Sequence, residues 1–166
     1  MAAIPTPKLA TADVCDALGD DVQPIPVAFK SYGGRADFAG PAVTLKTLDD
    51  NSVLKELVKT AGEDRVIVVD GGGSMRTALL GGNLAADAAS NGWAGILIFG
   101  CVRDLHELCA EDVGIMSIGT CPRKSVKQGL GDMDVDLALS GVVIKPGYWV
   151  IADQDGVVVS HELPSL

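Results

Sequence analysis

The sequence predicts an α/β domain built on a mixed sheet, with hairpin-like β-strands at its C-terminal end. Residues 66–69 are a continuous β-branched run, Val-Ile-Val-Val, which is the composition of a strand buried on both faces. Residues 95–99 form a second apolar run, and between the two lies a short helical stretch, 84–90, ended by Asn91-Gly92. Beyond residue 140 the pattern becomes short apolar strands at 142–144, 149–152 and 157–159. They are separated by Lys145-Pro-Gly147 and by Asp153-Gln-Asp-Gly156, the latter of tight-turn composition.

The remaining elements follow in order. Thr11 is placed to cap a helix through Leu18 that Gly19 stops. Residues 22–29 are interrupted by Pro24 and Pro26, which excludes a central position in a sheet. Residues 41–48 alternate as a half-buried strand. Asp50 or Asn51 can cap a helix to about Thr60, with Leu54, Leu57 and Val58 facing inward. Residues 75–80 are compatible with an extended segment, 104–109 with a helical turn, and 113–118 with another strand.

A chain of 166 residues suits one domain with a core of its own. Hydrophobic residues make up 48% and aromatic residues only 4%, so the core is aliphatic. The formal net charge of −9 repels phosphate backbones, which argues against direct nucleic-acid binding. Arg123, Lys124 and Lys127 are the nearest thing to a basic patch and read as a solvated loop. Cys15, Cys101, Cys109 and Cys121 show no C-x-x-C spacing, so zinc or thioredoxin-like chemistry lacks support. Cys101 reads as a small core residue, and the thiols as reduced in a cytoplasmic setting. The N-terminus lacks a basic region and an apolar run, unlike a secretory signal, and no apolar stretch approaches the roughly 20 residues that span a bilayer.

Candidate chemistry concentrates between residues 66 and 105. Gly71-Gly-Gly73 follows a strand, but Arg76 occupies the sixth position of a dinucleotide fingerprint and no acidic partner closes the next strand. No Gly-Lys-Ser/Thr phosphate loop occurs. Leu80-Gly-Gly-Asn-Leu84 is more informative. With Asn83 as helix cap, backbone amides and the positive end of the helix dipole would face an anion, and Gly81 and Gly82 let it approach. Arg103 and Asp104 follow the second buried strand. Arginine offers a fork of donors to a carboxylate or enolate oxygen, and aspartate a hard oxygen to magnesium or manganese. His106 and His161 are isolated, and Lys30, Lys46 and Lys55 sit in no obvious apolar pocket that would favour a Schiff base.

Val68-Val-Asp-Gly-Gly-Gly-Ser74, Leu79-Leu-Gly-Gly-Asn-Leu84, Asn91-Gly-Trp-Ala-Gly95 and Gly100-Cys-Val-Arg-Asp104 together resemble the RraA-like family. Its members include bacterial regulators of ribonuclease activity and class II 4-hydroxy-4-methyl-2-oxoglutarate (HMG) aldolases; an older label for the family was demethylmenaquinone methyltransferase. The resemblance implies a swivelling α/β/β domain and a ring-shaped homotrimer with sites at subunit interfaces. It implies that Gly81, Gly82, Asn83 and Leu84 with Arg103 bind the pyruvyl group of a small 2-oxo acid, and that Asp104 anchors a divalent cation, Mg2+ or Mn2+. The implied activity is cleavage to pyruvate through an enolate, with oxaloacetate decarboxylation as a side reaction. The alternative it implies is a non-catalytic protein that binds and inhibits an RNA-degrading endonuclease; those inhibitors lack an Asp after the Arg, whereas this chain keeps Asp104. One position departs from the bacterial aldolases, which carry a proton-transferring Asp where this chain has Gly82; plant-like relatives share its Gly-Gly-Asn. Loss of a general acid or base typically costs about 10²–10⁴ in rate.

Overall fold

The computed structural model describes residues 9–166; the N-terminal stretch read for a targeting signal lies mostly outside them. In chain order the elements are α1 (Thr11–Leu18), β1 (Val22–Pro24), β2 (Lys30–Ser31), β3 (Phe38–Lys46), α2 (Ser52–Leu57), β4 (Val66–Asp70) and β5 (Ala78–Leu80). They continue with α3 (Gly82–Ser90), β6 (Gly95–Val102), α4 (Leu105–Leu108), β7 (Gly114–Thr120) and β8 (Asp132–Met133), then β9 (Leu137–Leu139), β10 (Val142–Ile144), β11 (Trp149–Asp153) and β12 (Gly156–Ser160).

The main sheet runs β1-β12-β11-β3-β4-β6-β7-β2. Its centre, β3-β4-β6-β7, is parallel, and its flanks are antiparallel. The apolar runs of β4 and β6 occupy that centre because each has aliphatic side chains for both faces: Ile67 and Val69 pack with the helices, Val66 and Val68 against the opposite layer. The proline-bearing segment takes the edge as β1, where a missing N–H costs no ladder bond.

On one face, Leu54 and Leu57 of α2, Ala85 and Ala88 of α3 and Leu108 of α4 close over the sheet. On the other, Leu137, Leu139, Val142 and Ile144 of the β9–β10 pair form a second β layer. The result is the α/β/β layering that the resemblance implies. No described helix is long and apolar enough to cross a membrane.

Some expectations are corrected. Thr11 is the first residue of α1, not its cap; its N–H and hydroxyl both donate to Asp153, at 2.8 and 2.7 Å. β3 is not half-buried along its length, since residues 42–45 are buried on both faces, and the Thr44 hydroxyl donates to the Val135 carbonyl at 2.6 Å. Lys145-Pro-Gly147 does not turn a hairpin: β10 pairs with β9, and β11 with β12 and β3. The second hairpin turn is Ser140-Gly141, both at positive φ. Asn51 occupies the cap position of α2, but the Ser52 N–H is taken by the Asp50 carboxylate at 2.9 Å.

Candidate functional site

The parallel strands β4, β5, β6 and β7 all end at one edge of the sheet, where open α/β sheets bind ligands. β6 runs on past the end of β4, and β5 takes up the vacated position beside it. This join sets the Arg103 N–H on the Leu80 carbonyl at 2.9 Å and brings the Arg-Asp pair against the Gly81-Gly82 turn. A cleft of about 170 Å3 opens there, and all six residues singled out from sequence line it: Gly81, Gly82, Asn83, Leu84, Arg103 and Asp104. A larger hollow of about 600 Å3 lies at the β1–β12 flank of the sheet, but Asp20, Asp21 and Glu162 line it and repel an anion.

The cap of α3 is Gly81, so Asn83 does not cap and sits in the first turn. The capping carboxylate comes from elsewhere: Asp104 Oδ2 accepts the Gly82 N–H at 3.0 Å. The first-turn amides of Asn83 and Leu84 have no acceptor one turn back within the helix and are the donors left for an anion. Asp104 has left-handed backbone geometry, φ 61° and ψ 47°, which aspartate tolerates better than most residues and which fits the abrupt turn from β6 into α4. Arg103 Nε lies 4.0 Å from Asp104 Oδ2, and its Nη1 donates to the Pro122 carbonyl at 3.4 Å. A side chain at residue 81 would place Cβ 2.6 Å from Asp104 Oδ2 and 3.5 Å from the Arg103 stem, so glycine is what permits this approach.

Glu107 is the residue that sequence reasoning missed. Its Oε2 lies 1.5 Å from where a Cβ on residue 82 would be, so its carboxylate fills the space that Gly82 leaves open. Asp104 and Glu107 are three residues apart across the start of α4, a spacing that puts side chains on neighbouring positions of a helical turn. That spacing was a usable sequence signal. Among the described residues no three of His, Cys, Asp and Glu gather into a metal cage. Asp104, a hard carboxylate at an open cleft, suits a magnesium-type cation that keeps several waters and takes its other ligands from substrate, and does not suit a closed zinc site.

Two consecutive acids after β3 build the walls. Asp49 accepts bonds from Ser74 Oγ at 2.6 Å, Thr77 Oγ1 at 2.8 Å and Arg76 Nη2 at 2.8 Å, which fastens the 71–77 loop. Burial raises its carboxyl pKa, but these bonds outweigh burial and hold it below the usual value. The Gly71–Gly73 turn is structural: the N–H groups of Gly71 and Gly73 both donate to the Phe99 carbonyl. Asp50, fully buried, accepts from the Ser52 hydroxyl and from the N–H groups of Ser52, Gln128 and Leu130. Burial raises this carboxyl too, but the bonds prevail and hold it at about 2. Arg123, Lys124 and Lys127, read as a solvated loop, therefore belong to a segment stapled beside the cleft, and Lys124 and Lys127 line the cleft together with Lys55.

Fold and site define an α/β protein whose parallel-strand edge carries a cleft lined by the turn at residues 81–84, Arg103 and Asp104. The chain belongs to the Aldolase/RraA family, whose RraA-like model matches residues 11–159. A relative from Alkalilimnicola ehrlichii that carries the provisional name 4-hydroxy-4-methyl-2-oxoglutarate aldolase is 48% identical over 93% of this chain and 96% of its own. A solved structure from Thermus thermophilis, described as the RNA-processing inhibitor RraA, is 43% identical with a TM-score of 0.91, and 95% of each chain is covered. Another, from Geobacillus kaustophilus and titled a 2-dimethylmenaquinone methyltransferase, is 47% identical with the same TM-score over 93% of this chain and 96% of its own.

Proposed function

We propose that this protein is a divalent-metal-dependent lyase that cleaves HMG, or a related small 2-oxo acid, to pyruvate and also decarboxylates oxaloacetate. The observation that carries this reading is the meeting of Arg103, the Asp104 carboxylate and the first turn of α3 in one cleft, with the Glu107 carboxylate against Gly82 at its side. The names of its aldolase relatives support the same reading.

Substrate carboxylate docks on the Asn83 and Leu84 amides, and Arg103 lies beside the 2-oxo oxygen, which gains charge as the C3–C4 bond breaks. Asp104 would hold the cation, which would supply positive charge to stabilise the developing enolate. The electron pair of the broken bond becomes the pyruvate enolate, and the 4-hydroxyl carbon becomes the carbonyl of the second product. The 4-hydroxyl proton passes to Glu107, which returns it to C3 of the enolate. Glu107 thus substitutes for the aspartate that bacterial aldolases carry at the position of Gly82. Oxaloacetate gives the same enolate by losing carbon dioxide.

Exposed apolar side chains on the loops around the cleft end, Leu48 at 59%, Met75 at 54% and Leu130 at 59%, suit burial against another subunit, and the homotrimer that the family resemblance implies would supply one. The test is pyruvate release from HMG and oxaloacetate with Mg2+, Mn2+ or chelator, in wild type and in Asp104→Asn, which keeps the left-handed turn but removes the charge. Chelator-sensitive release that the substitution abolishes is the expected result. No metal-dependent release from either substrate would refute the reading and favour the regulator that binds a ribonuclease.

A further inference from the structure

Three sulfur-bearing side chains, Met75, Cys101 and Cys121, come together where β6 and β7 end, and none of them lines the cleft. β6 and β7 pair in parallel with Cys101 opposite Gly119 and Val102 opposite Thr120, and the Cys121 N–H donates to the Val102 carbonyl at 3.1 Å. Cys121 stands two residues beyond Gly119, so its side chain leaves the same face of the sheet as one at residue 119 would. Cys101 presents its thiol on that face: a Cβ on residue 119 would lie 3.8 Å from Cys101 Sγ. It would also lie 2.5 Å from Met75 Cε, so the bare backbone of Gly119 leaves room for the thioether.

Met75 comes in from the 71–77 loop. The Cys101 S–H donates to its Sδ at 3.3 Å, and the Cys121 S–H donates to the carbonyl of Arg76, the next residue, at 3.3 Å. One loop thus receives both thiols at consecutive residues. Cys101 is fully buried, and burial, then the neighbouring Cys121 and Asp49, push its thiol above the usual value. A thiol so placed stays protonated and unreactive until a metal ion takes the place of its proton. Met75 is exposed and Cys121 half-buried, so the group is open on the loop side alone. The other two thiols lie elsewhere: Cys15 on α1, and Cys109 after α4, where it donates to the His106 carbonyl.

We propose that Met75, Cys101 and Cys121 form a soft-metal site that takes a thiophilic monovalent cation of the Cu(I) class, separate from the hard-cation position at Asp104. Thiolate and thioether sulfur select Cu(I), whereas Mg2+ and Mn2+ prefer oxygen. Binding breaks two S–H bonds, releases both protons to solvent and forms bonds from copper to two thiolates and one thioether, with no change of oxidation state. The unbranched Met75 side chain, with three rotatable bonds, swings aside to admit the ion and closes on it. The site needs no lyase activity.

The test is transfer of Cu(I) from its coloured bicinchoninate complex to the full chain, kept free of oxygen with a non-thiol reductant and read as loss of colour. Wild type is expected to take up copper, and excess Mg2+ is expected not to displace it. Met75→Leu keeps the apolar volume at an exposed position and is expected to weaken binding by at least about 10-fold, the least that even an outer-shell change typically costs. Cys101→Ala and Cys121→Ala are each expected to abolish transfer, and Cys15→Ala/Cys109→Ala to bind as wild type. No transfer to wild type would overturn the assignment. So would wild-type affinity in Met75→Leu or Cys101→Ala, or loss of transfer in the Cys15→Ala/Cys109→Ala double variant. Thermal melts without copper verify folding, and Met75→Leu, a surface change, decides the matter should Cys101→Ala unfold.

Discussion

Replacing Gly82 by alanine tests the proton carrier without touching Arg103 or Asp104. The new Cβ would lie 1.5 Å from Glu107 Oε2, 2.6 Å from its Cδ and 2.9 Å from its Cβ, so the Glu107 side chain must swing away. Glu107 is exposed, and a rotamer change of this kind costs of order 1 kcal/mol. Residue 82 opens α3, where alanine recovers up to about 1 kcal/mol of helix propensity over glycine. The two terms nearly cancel, so the melting temperature should move by no more than a few degrees. Turnover should not be spared. Displacing the carboxylate is expected to lower kcat about 10²–10⁴-fold, a barrier increase of roughly 3–5 kcal/mol. The assay is steady-state pyruvate release from HMG with saturating metal, beside Glu107→Gln, which should fall by a similar factor. Adding Glu107→Gln to Gly82→Ala should then cost little more, because both remove one group. Gly82→Asp displaces Glu107 but brings its own carboxylate, so it is expected to keep turnover near wild type. Wild-type kcat in Gly82→Ala would refute the role assigned to Glu107.

Asp50→Asn should loosen the cleft wall. The buried carboxyl is held from 3.8 down to about 2, and at about 1.4 kcal/mol per pH unit this is worth about 2 kcal/mol. Because the folded pKa is the lower one, that stability is present above about pH 4 and is lost as pH falls through about 2. Urea melts should show the variant less stable than wild type at pH 7 and little different near pH 2; a constant gap across pH would contradict the account. Leu108→Ala removes the fully buried anchor of α4, at a cost of about 2–5 kcal/mol, and should also lower kcat because α4 carries Glu107. Calorimetric melting with parallel kinetics checks both effects, and full activity with a lowered melting temperature would detach Glu107 from catalysis.

Much of the fold is written locally. Val66 to Val69 and Gly95 to Phe99 are apolar at consecutive positions, and only a strand covered on both faces can use that, so they became the parallel centre of the sheet. Pro24 and Pro26 forbid a central strand, and β1 lies at the edge. The glycine turn before α3 and the Arg-Asp pair after β6 were legible because both sit at the ends of strands whose order is fixed by apolar content. Tertiary structure decided what those local signals could not reach. Which carboxylate caps α3 depends on Asp104, 22 residues away from Gly82, and the filling of Gly82's empty side by Glu107 depends on the join between β5 and β6. The attachment of Lys127 to Asn51 spans 76 residues. Helical and strand periodicities report which face a residue presents to its neighbours in sequence; strand order alone determines which distant residue that face meets.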